Sequence, residues 1–189
     1  MDKNMSKKEL SGIIKAIIAA VFVVVVIRLF LVTPASVSGA SMMPTFENGD
    51  YILVDMIGPK LYDYNRFDVV VFKTATDGNY IKRIIGMPGD RIEYVDDELW
   101  INGEPVDEPY LDEYKGQLTD GSSLTRDFTL EEALGRSVIP EGHYFVMGDN
   151  RKVSVDSRDP EVGFVSEEAI VGKVNVVFWP FNHAKLMKE

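Results

Sequence analysis

Asp68-Val69-Val70-Val71-Phe72 is the stretch of this 189-residue chain that is most informative about its fold. β-branched and aromatic residues favour extended backbone, and the run 69–72, which is apolar at every position, predicts a strand buried on both faces. The same character recurs in four other short segments: 51–54, 80–85, 91–95 and 172–179. We therefore expect a mainly β protein.

Two local signals set the connections around these strands. Asn102-Gly103 lies between the short apolar segments 98–101 and 105–106, which predicts a tight hairpin. The sequence from Thr129 to Leu134 opens with a capping-box pattern and is the one helical signal outside the N-terminal apolar run. It falls in a polar stretch, about 107–136, which we interpret as an insertion on a compact β core.

The N-terminal run 13–32 is apolar except for Lys15 and Arg28. Twenty helical residues cover about 30 Å, the thickness of the hydrocarbon core of a bilayer. Lysines are concentrated before this run, so the positive-inside rule predicts that residues 1–12 are cytoplasmic and that residues 33–189 form an extracytoplasmic domain. The alternative is a cleavable secretory signal, whose apolar core would be shorter.

Composition excludes several classes of site and partner. Residues 33–189 contain 15 basic and 28 acidic residues, and such acidity disfavours nucleic-acid partners. Without any cysteine the chain has no disulfide and no cysteine nucleophile, and its two histidines are forty residues apart. We therefore expect no metal site and no cofactor.

The best candidate nucleophile is Ser41, in Gly39-Ala40-Ser41-Met42-Met43-Pro44-Thr45. It follows the apolar run by nine residues, which reach at most about 30 Å when extended, so it should lie close to the lipid surface. A serine nucleophile needs a base. Neither His143 nor His183 has a setting typical of a Ser-His-Asp triad, although that arrangement remains an alternative.

The other possible base is Lys82, in Tyr80-Ile81-Lys82-Arg83-Ile84-Ile85. Burial among apolar groups lowers the pKa of a lysine because the charged form loses its solvation. Strand alternation places Lys82 on one face with Tyr80 and Ile84, towards the core or a cleft. The alternative interpretation is an edge-strand lysine that prevents aggregation.

A third segment is polar and follows the apolar strand 143–147: Gly148-Asp149-Asn150-Arg151-Lys152-Val153-Ser154-Val155-Asp156-Ser157-Arg158-Asp159-Pro160. This composition is compatible with an exposed polar loop. Its alternating acids and arginines, Asp149/Arg151 and Asp156/Arg158, favour a rigid support held by salt bridges.

These three segments, in this order, resemble the motifs of the bacterial type I signal peptidases. The likeness covers the segment around Ser41, the strand of Lys82 leading to Gly86-Met87-Pro88-Gly89-Asp90, and the polar loop 148–158. A single N-terminal anchor is similar to the short Gram-positive form. The resemblance implies a mostly antiparallel β catalytic core and an endopeptidase that removes signal peptides from exported preproteins at the membrane.

The resemblance also implies roles for individual residues. Ser41 matches the nucleophile, Lys82 the general base, and Ser154 a serine that hydrogen-bonds the lysine. The other supporting positions match an ion pair and two structural residues: Asp156, Arg158, Asp149 and Arg83.

Cleavage after small residues, of the Ala-x-Ala type, is implied in the same way. The substrate would be bound as an added strand. The candidate substrate-binding residues are Val37, Gly39, Met42, Val71, Tyr80 and Ile81. Some members of the family carry a serine at the position of Gly39, so here we expect the backbone N–H of Ser41 to bear more of the oxyanion stabilisation.

Two other functions remain open. A self-cleaving Ser-Lys repressor would use the same chemistry, but would be cytoplasmic with a basic DNA-binding segment. A non-enzymatic anchored β domain for cell-surface assembly would explain the apolar run and the strands, but not the conjunction of Ser41, Lys82 and Ser154. Loss of peptide cleavage in Ser41→Ala would separate the enzyme from these.

Overall fold

The computed structural model describes residues 7–30, 32–58, 63–74, 78–118 and 121–187. The helices are α1 (Lys7–Phe30), α2 (Asp112–Gln117) and α3 (Leu130–Leu134), with 3-10 turns at Pro109–Leu111 and Glu167–Ala169. The first strands are β1 (Val32–Ser36), β2 (Tyr51–Asp55), β3 (Val69–Lys73), β4 (Asn79–Gly86), β5 (Ile92–Val95) and β6 (Glu98–Ile101). The later strands are β7 (Glu104–Val106), β8 (Phe128–Thr129), β9 (His143–Met147), β10 (Val165–Ser166), β11 (Ile170–Trp179) and β12 (Lys185–Leu186).

Two antiparallel sheets carry the fold, which confirms the expected mainly β class. The larger sheet has the order β1-β2-β11-β3-β4-β9-β10, with β12 beside β11, and the smaller has the order β7-β6-β5-β8. Strands β3 and β4 are adjacent, with Val70 opposite Lys82 and Val71 opposite Ile81. The large sheet therefore places the candidate base near its centre.

Strand β3 is buried on both faces, as its unbroken apolar sequence predicts. Val69 and Val71 belong to one core cluster, while Val70 and Phe72 belong to another on the opposite face. On the neighbouring strand, Tyr80 packs in the same cluster as Phe72. The two clusters sandwich the large sheet, because successive side chains of a strand point to opposite faces.

A third apolar cluster joins the two sheets. Ile85 and Phe145 of the large sheet pack here with Ile92 and Tyr94 of the small one. Gly86 lies at a bulge of β4 where a Cβ would come within 2.3 Å of the Ile92 side chain. The small size of glycine therefore lets the Ile92 and Ile139 side chains pack directly against β4, and a larger residue would displace them.

The local turn and cap predictions are confirmed. Strands β6 and β7 form a hairpin around Asn102-Gly103, both with positive φ, as a type I′ turn requires. Thr129 caps α3 through a reciprocal capping box with Glu132. The polar stretch 107–136 also contains α2, which the sequence did not predict, and β8, which pairs with β5.

Helix α1 runs directly towards β1. Its described apolar side chains are exposed, among them Ile17, Ile18 and Phe22. Within the described ranges, no helix has the combination of length and apolar content needed to cross a bilayer. The predicted anchor, 13–32, includes side chains 25–31, Arg28 among them, that lie outside the described residues.

Candidate active site

Ser41 lies in a turn that two buried side chains hold on the sheet. Met42 and Phe46 are almost fully buried, and the Phe46 N–H donates to the Met42 carbonyl at 2.9 Å. The chain enters this turn from Val37, which exchanges backbone hydrogen bonds with the 49–50 turn. Apolar anchors on both sides therefore leave the Ser41 side chain half-buried at the surface of the large sheet.

Lys82 reaches Ser41 across the sheet. Its Nζ donates to Ser41 Oγ at 2.8 Å and to the Ile81 carbonyl at 3.0 Å. The lysine is only 3% exposed, and this burial lowers its pKa to about 8, against the opposing charges of Asp156 and Asp149. Because the ammonium has lost most of its solvation, the neutral form is accessible near physiological pH.

Asp156 organises the polar loop behind the lysine. Its carboxylate accepts from the Gly148 N–H at 2.9 Å and from Nε and Nη2 of Arg158 at 2.8 Å each. Burial by itself would raise the pKa of Asp156, but the Arg158 bonds and the Gly148 N–H hold it below its usual value. The structure thus brings together the predicted Asp156–Arg158 pair.

Ser154 is buried beside this pair, but without the predicted bond to Lys82. Among the described residues its Oγ has no hydrogen-bond partner, since Lys82 Nζ is directed at Ser41 and the Ile81 carbonyl. The hydroxyl still lies near enough to Asp156 to help lower that pKa. A Cβ at Gly148 would come within 2.2 Å of Ser154 Oγ and 2.4 Å of the Ser41 carbonyl, so Ser154 lies within the site.

Asp149 pairs with Arg83 instead of the nearby Arg151. Arg83 Nε and Nη2 donate to the Asp149 carboxylate at 2.9 and 2.6 Å, and both side chains are buried. Thr45 also donates to Asp149, which ties the turn after Ser41 to the polar loop. Arg151 pairs with Glu108, so the salt-bridged support exists with partners that the local alternation did not indicate.

Most of the predicted substrate-binding residues lie in one cluster. Val37, Met42 and Val71 are buried together, with Ile81 packed against them. Tyr80 lies outside this cluster, in contact with the Phe72 ring, but its own ring borders the site, with its centroid 5.1 Å from Lys82 Nζ.

Gly39 is exposed, has a φ of 93° and has open space where a side chain would be. Its N–H donates to Asn48 Oδ1 at 2.9 Å. This glycine therefore supplies backbone conformation and no side-chain donor.

The two histidines lie elsewhere. His143 Nδ1 is 2.9 Å from the Glu141 carbonyl, and His183 Nδ1 is 3.3 Å from Asp50. Neither has a described hydrogen bond to Ser41, so the described part of the chain does not assemble a Ser-His-Asp triad. Across the described ranges, no three His, Cys, Asp or Glu side chains are grouped to hold a metal ion.

Sequence reasoning assigned no role to three residues that support this site. Thr45 and Asn150 stand inside the quoted segments, and their hydrogen-bonding side chains were the available signal. The Asn150 N–H donates to the Ser41 carbonyl at 3.0 Å and its Nδ2 donates to the Ala40 carbonyl at 3.1 Å. Glu108 stands in the supposed insertion, where no local pattern marks it.

Comparisons with known proteins identify the family to which this chain is similar. The model of the family described as signal peptidase, peptidase S26, matches residues 10–179. Signal peptidase I of Bacillus caldolyticus is 49% identical over 162 residues, covering 86% of this chain and 87% of the relative. Signal peptidase IB of Staphylococcus aureus is 41% identical over 183 residues, covering 95% and 94%. The crystal structure of a signal peptidase I from Enterococcus faecalis V583 aligns with a TM-score of 0.56 and 42% identity, over 59% of this chain and 97% of that one.

Proposed function

Because this chain belongs to the signal peptidase family, peptidase S26, we propose that it removes signal peptides from exported preproteins with a Ser41/Lys82 dyad. The protein is a serine peptidase and thus a hydrolase. The observation that carries the dyad assignment is the 2.8 Å separation between Ser41 Oγ and the buried Lys82 Nζ.

In the proposed reaction, neutral Lys82 accepts the hydroxyl proton of Ser41 as Oγ attacks the carbonyl carbon of the last signal residue. The backbone N–H of Ser41 stabilises the oxyanion. The amine of the mature protein then leaves with the proton from Lys82, and a water molecule activated by the same lysine hydrolyses the acyl-enzyme. The lowered pKa of Lys82, about 8, supports this role because a base must be unprotonated to act.

The proposal includes specificity for small residues at the last and third-last signal positions, and the placement of the apolar side chains beside Ser41 supports it. The clustered side chains of Val37, Met42, Val71 and Ile81 would form the apolar walls of two shallow pockets. Residues 38–40 are exposed, and those of their backbone groups that the Asn48 and Asn150 side chains do not hold would pair with an extended substrate strand. A preprotein series with Ala, Val and Leu at the last signal position should lose cleavage as the side chain grows.

The anchor is part of the proposal. Residues 13–32 would span the cell membrane once, with the N-terminus in the cytoplasm and the catalytic domain outside. The exposed apolar side chains of α1 support this, because large contiguous apolar surfaces mark partner or lipid contacts. Since the chain has no cysteine, single-cysteine variants Ser6→Cys and Ser38→Cys can be labelled in intact cells with an impermeant maleimide. Only position 38 should react; labelling at position 6 alone would invert the topology.

The dyad is tested with the full chain in detergent and a purified preprotein. Ser41→Ala, Lys82→Ala and Lys82→Arg should each abolish cleavage, the last because arginine stays protonated near neutral pH. Ser137→Ala and Lys185→Ala are matched controls at exposed positions and should keep full activity. Cleavage by Lys82→Arg would refute the general-base assignment, and cleavage by Ser41→Ala would refute the nucleophile.

A further inference from the structure

A buried socket surrounds the guanidinium of Arg151. Glu108 accepts from Arg151 Nη2 at 2.6 Å, and both side chains are almost completely buried. Nη1 donates to the Tyr94 hydroxyl at 2.7 Å and to Thr125 Oγ1 at 3.1 Å, and Nη2 donates to the Tyr110 hydroxyl at 3.3 Å. We call Tyr94, Glu108, Tyr110 and Thr125 the Arg151 socket.

The socket comes from a different part of the fold than the loop it holds. Tyr94 belongs to β5 of the small sheet, and the other three members belong to the polar stretch 107–136. Both tyrosine hydroxyls also donate to Glu108, at 2.8 and 2.6 Å. A buried charge network of this kind tolerates little displacement, because any unpaired member would keep its desolvation cost.

Arg151 transmits this constraint to its own loop. Its Nε donates to the Gly148 carbonyl at 3.1 Å, and its own carbonyl accepts from Arg158 at 2.9 Å. The preceding residue, Asn150, makes the two hydrogen bonds to the carbonyls of Ala40 and Ser41. The socket is therefore connected to the turn that contains Ser41 through Arg151 and then Asn150.

The bond from Asn150 to Ala40 has a specific consequence. The Ala40 carbonyl and the Ser41 N–H belong to one planar peptide unit. Holding the carbonyl oxygen therefore fixes the direction of the N–H that would face the oxyanion. Asn150 Nδ2 thus orients this backbone donor together with the Met43 N–H, which donates to the same carbonyl at 3.2 Å.

We infer that the Arg151 socket and Asn150 together hold Ser41 in position, with Glu108 as the buried residue that fixes Arg151. This inference rests on the proposed function, in which Ser41 is the nucleophile. None of these side chains touches the reacting atoms, so Glu108 and Asn150 are positioning residues. The stretch 107–136 thereby has a role in the reaction in addition to its role in the fold.

The test uses single-turnover cleavage by the full chain, measured on the alkaline plateau where Lys82 is neutral. Asn150→Ala and Glu108→Gln should each lower kcat by about 10- to 100-fold with KM little changed, the loss expected for a misplaced reacting group. Asn182→Ala and Glu104→Gln, at exposed positions, are the matched controls. The midpoint of the pH profile should stay in place in Asn150→Ala, since geometry and not ionisation has changed.

A double variant tells positioning from general stabilisation. Residues that act through one chain of contacts give less than the product of their separate effects, so Asn150→Ala/Glu108→Gln should be little slower than the slower single variant. If Glu108→Gln does not fold, Thr125→Val takes its place, since it removes one acceptor and keeps the shape.

The inference would be overturned if Asn150→Ala had the same kcat as the control variants. It would also be overturned if the loss of kcat in the double variant equalled the product of the two single losses. Cleavage by Ser41→Ala would instead overturn the proposed function, so the two failures are distinguishable.

Discussion

Neutralising the two partners of the Asp156–Arg158 pair should move the pKa of Lys82 in opposite directions. Burial lowers this pKa from 10.5 to about 8, the Asp156 carboxylate raises it and the Arg158 guanidinium lowers it. Asp156→Asn removes the attraction for the ammonium and should lower the pKa further. Arg158→Gln removes a repulsion and should raise it.

The wild-type pKa sets the size of the signal. With a pKa of about 8, roughly nine-tenths of Lys82 is neutral at about pH 9, one-tenth at about pH 7 and one-hundredth at about pH 6. The value of kcat/KM should therefore fall about tenfold for each pH unit below the midpoint. A shift of one unit would change the rate at about pH 6 by roughly tenfold, equivalent to about 1.4 kcal/mol.

The assay is kcat/KM against pH for the wild type and both variants, because that ratio reports the pKa of the free enzyme. Asp90→Asn is the control, since Asp90 pairs with Arg66 and does not contribute to the Lys82 shift. Melting curves establish that each variant is folded over the pH range. Midpoints that coincide in Asp156→Asn and Arg158→Gln, or that move in the same direction, would refute the assignment of this pH dependence to Lys82.

Four other expectations concern stability. Lys82→Met should stabilise the fold by up to about 3 kcal/mol at neutral pH, because the lysine binds a proton more tightly in the unfolded chain than in the folded one. The free energy of unfolding of the wild type should therefore rise with pH between 8 and 10.5, and this rise should vanish in the variant. Ser154→Ala should change Tm little by calorimetry, because the described contribution of the hydroxyl is the last of those that lower the pKa of Asp156, and a large drop would mean that it has a further partner in solution. Gly148→Ala should cost about 1–3 kcal/mol through the clash with Ser154, whereas Gly116→Ala in α2, with open space around it, should cost nothing in urea unfolding. Arg83→Met should cost about 3–5 kcal/mol by leaving a buried carboxylate unpaired; a loss below about 1 kcal/mol would mean that this carboxylate takes up a proton or finds water instead.

Local preference explains why several elements were predictable. Four consecutive apolar β-formers, as in the run 69–72, favour a strand that is buried on both faces, and the structure buries this strand in that way. Asn102 and Gly103 tolerate the positive φ of a tight hairpin, and Thr129 with Glu132 satisfies the first N–H groups of α3. Each of these signals lies within a few residues of the structure that it specifies.

Other elements had no local signal. The strands β8 and β10 have two residues each and exist because a neighbouring strand supplies their hydrogen bonds. Strand β1 contains Pro34 and follows the apolar run without a break, so its pairing with β2 is a tertiary contact. Helix α2 contains Gly116 and buries none of its residues, and Lys115 fastens it to the turn between β5 and β6 by donating to the Asp97 carbonyl at 2.6 Å.

The sequence by itself determined the candidate chemistry: a serine after an apolar run, a lysine in an apolar strand and a polar loop rich in acids and arginines. Only the tertiary structure decided which side chains form hydrogen bonds and ion pairs with each other. The Ser41–Lys82 contact joins residues 41 positions apart, Arg151 pairs with Glu108 across 43 positions, and Asn150 reaches Ala40 across 110. Side-chain type limits what a residue can bond, but its actual partner is the complementary group that sheet register and burial bring within about 3 Å. An alternation of charges along the chain does not contain that distance, so Asp149 and Arg151 found their partners elsewhere.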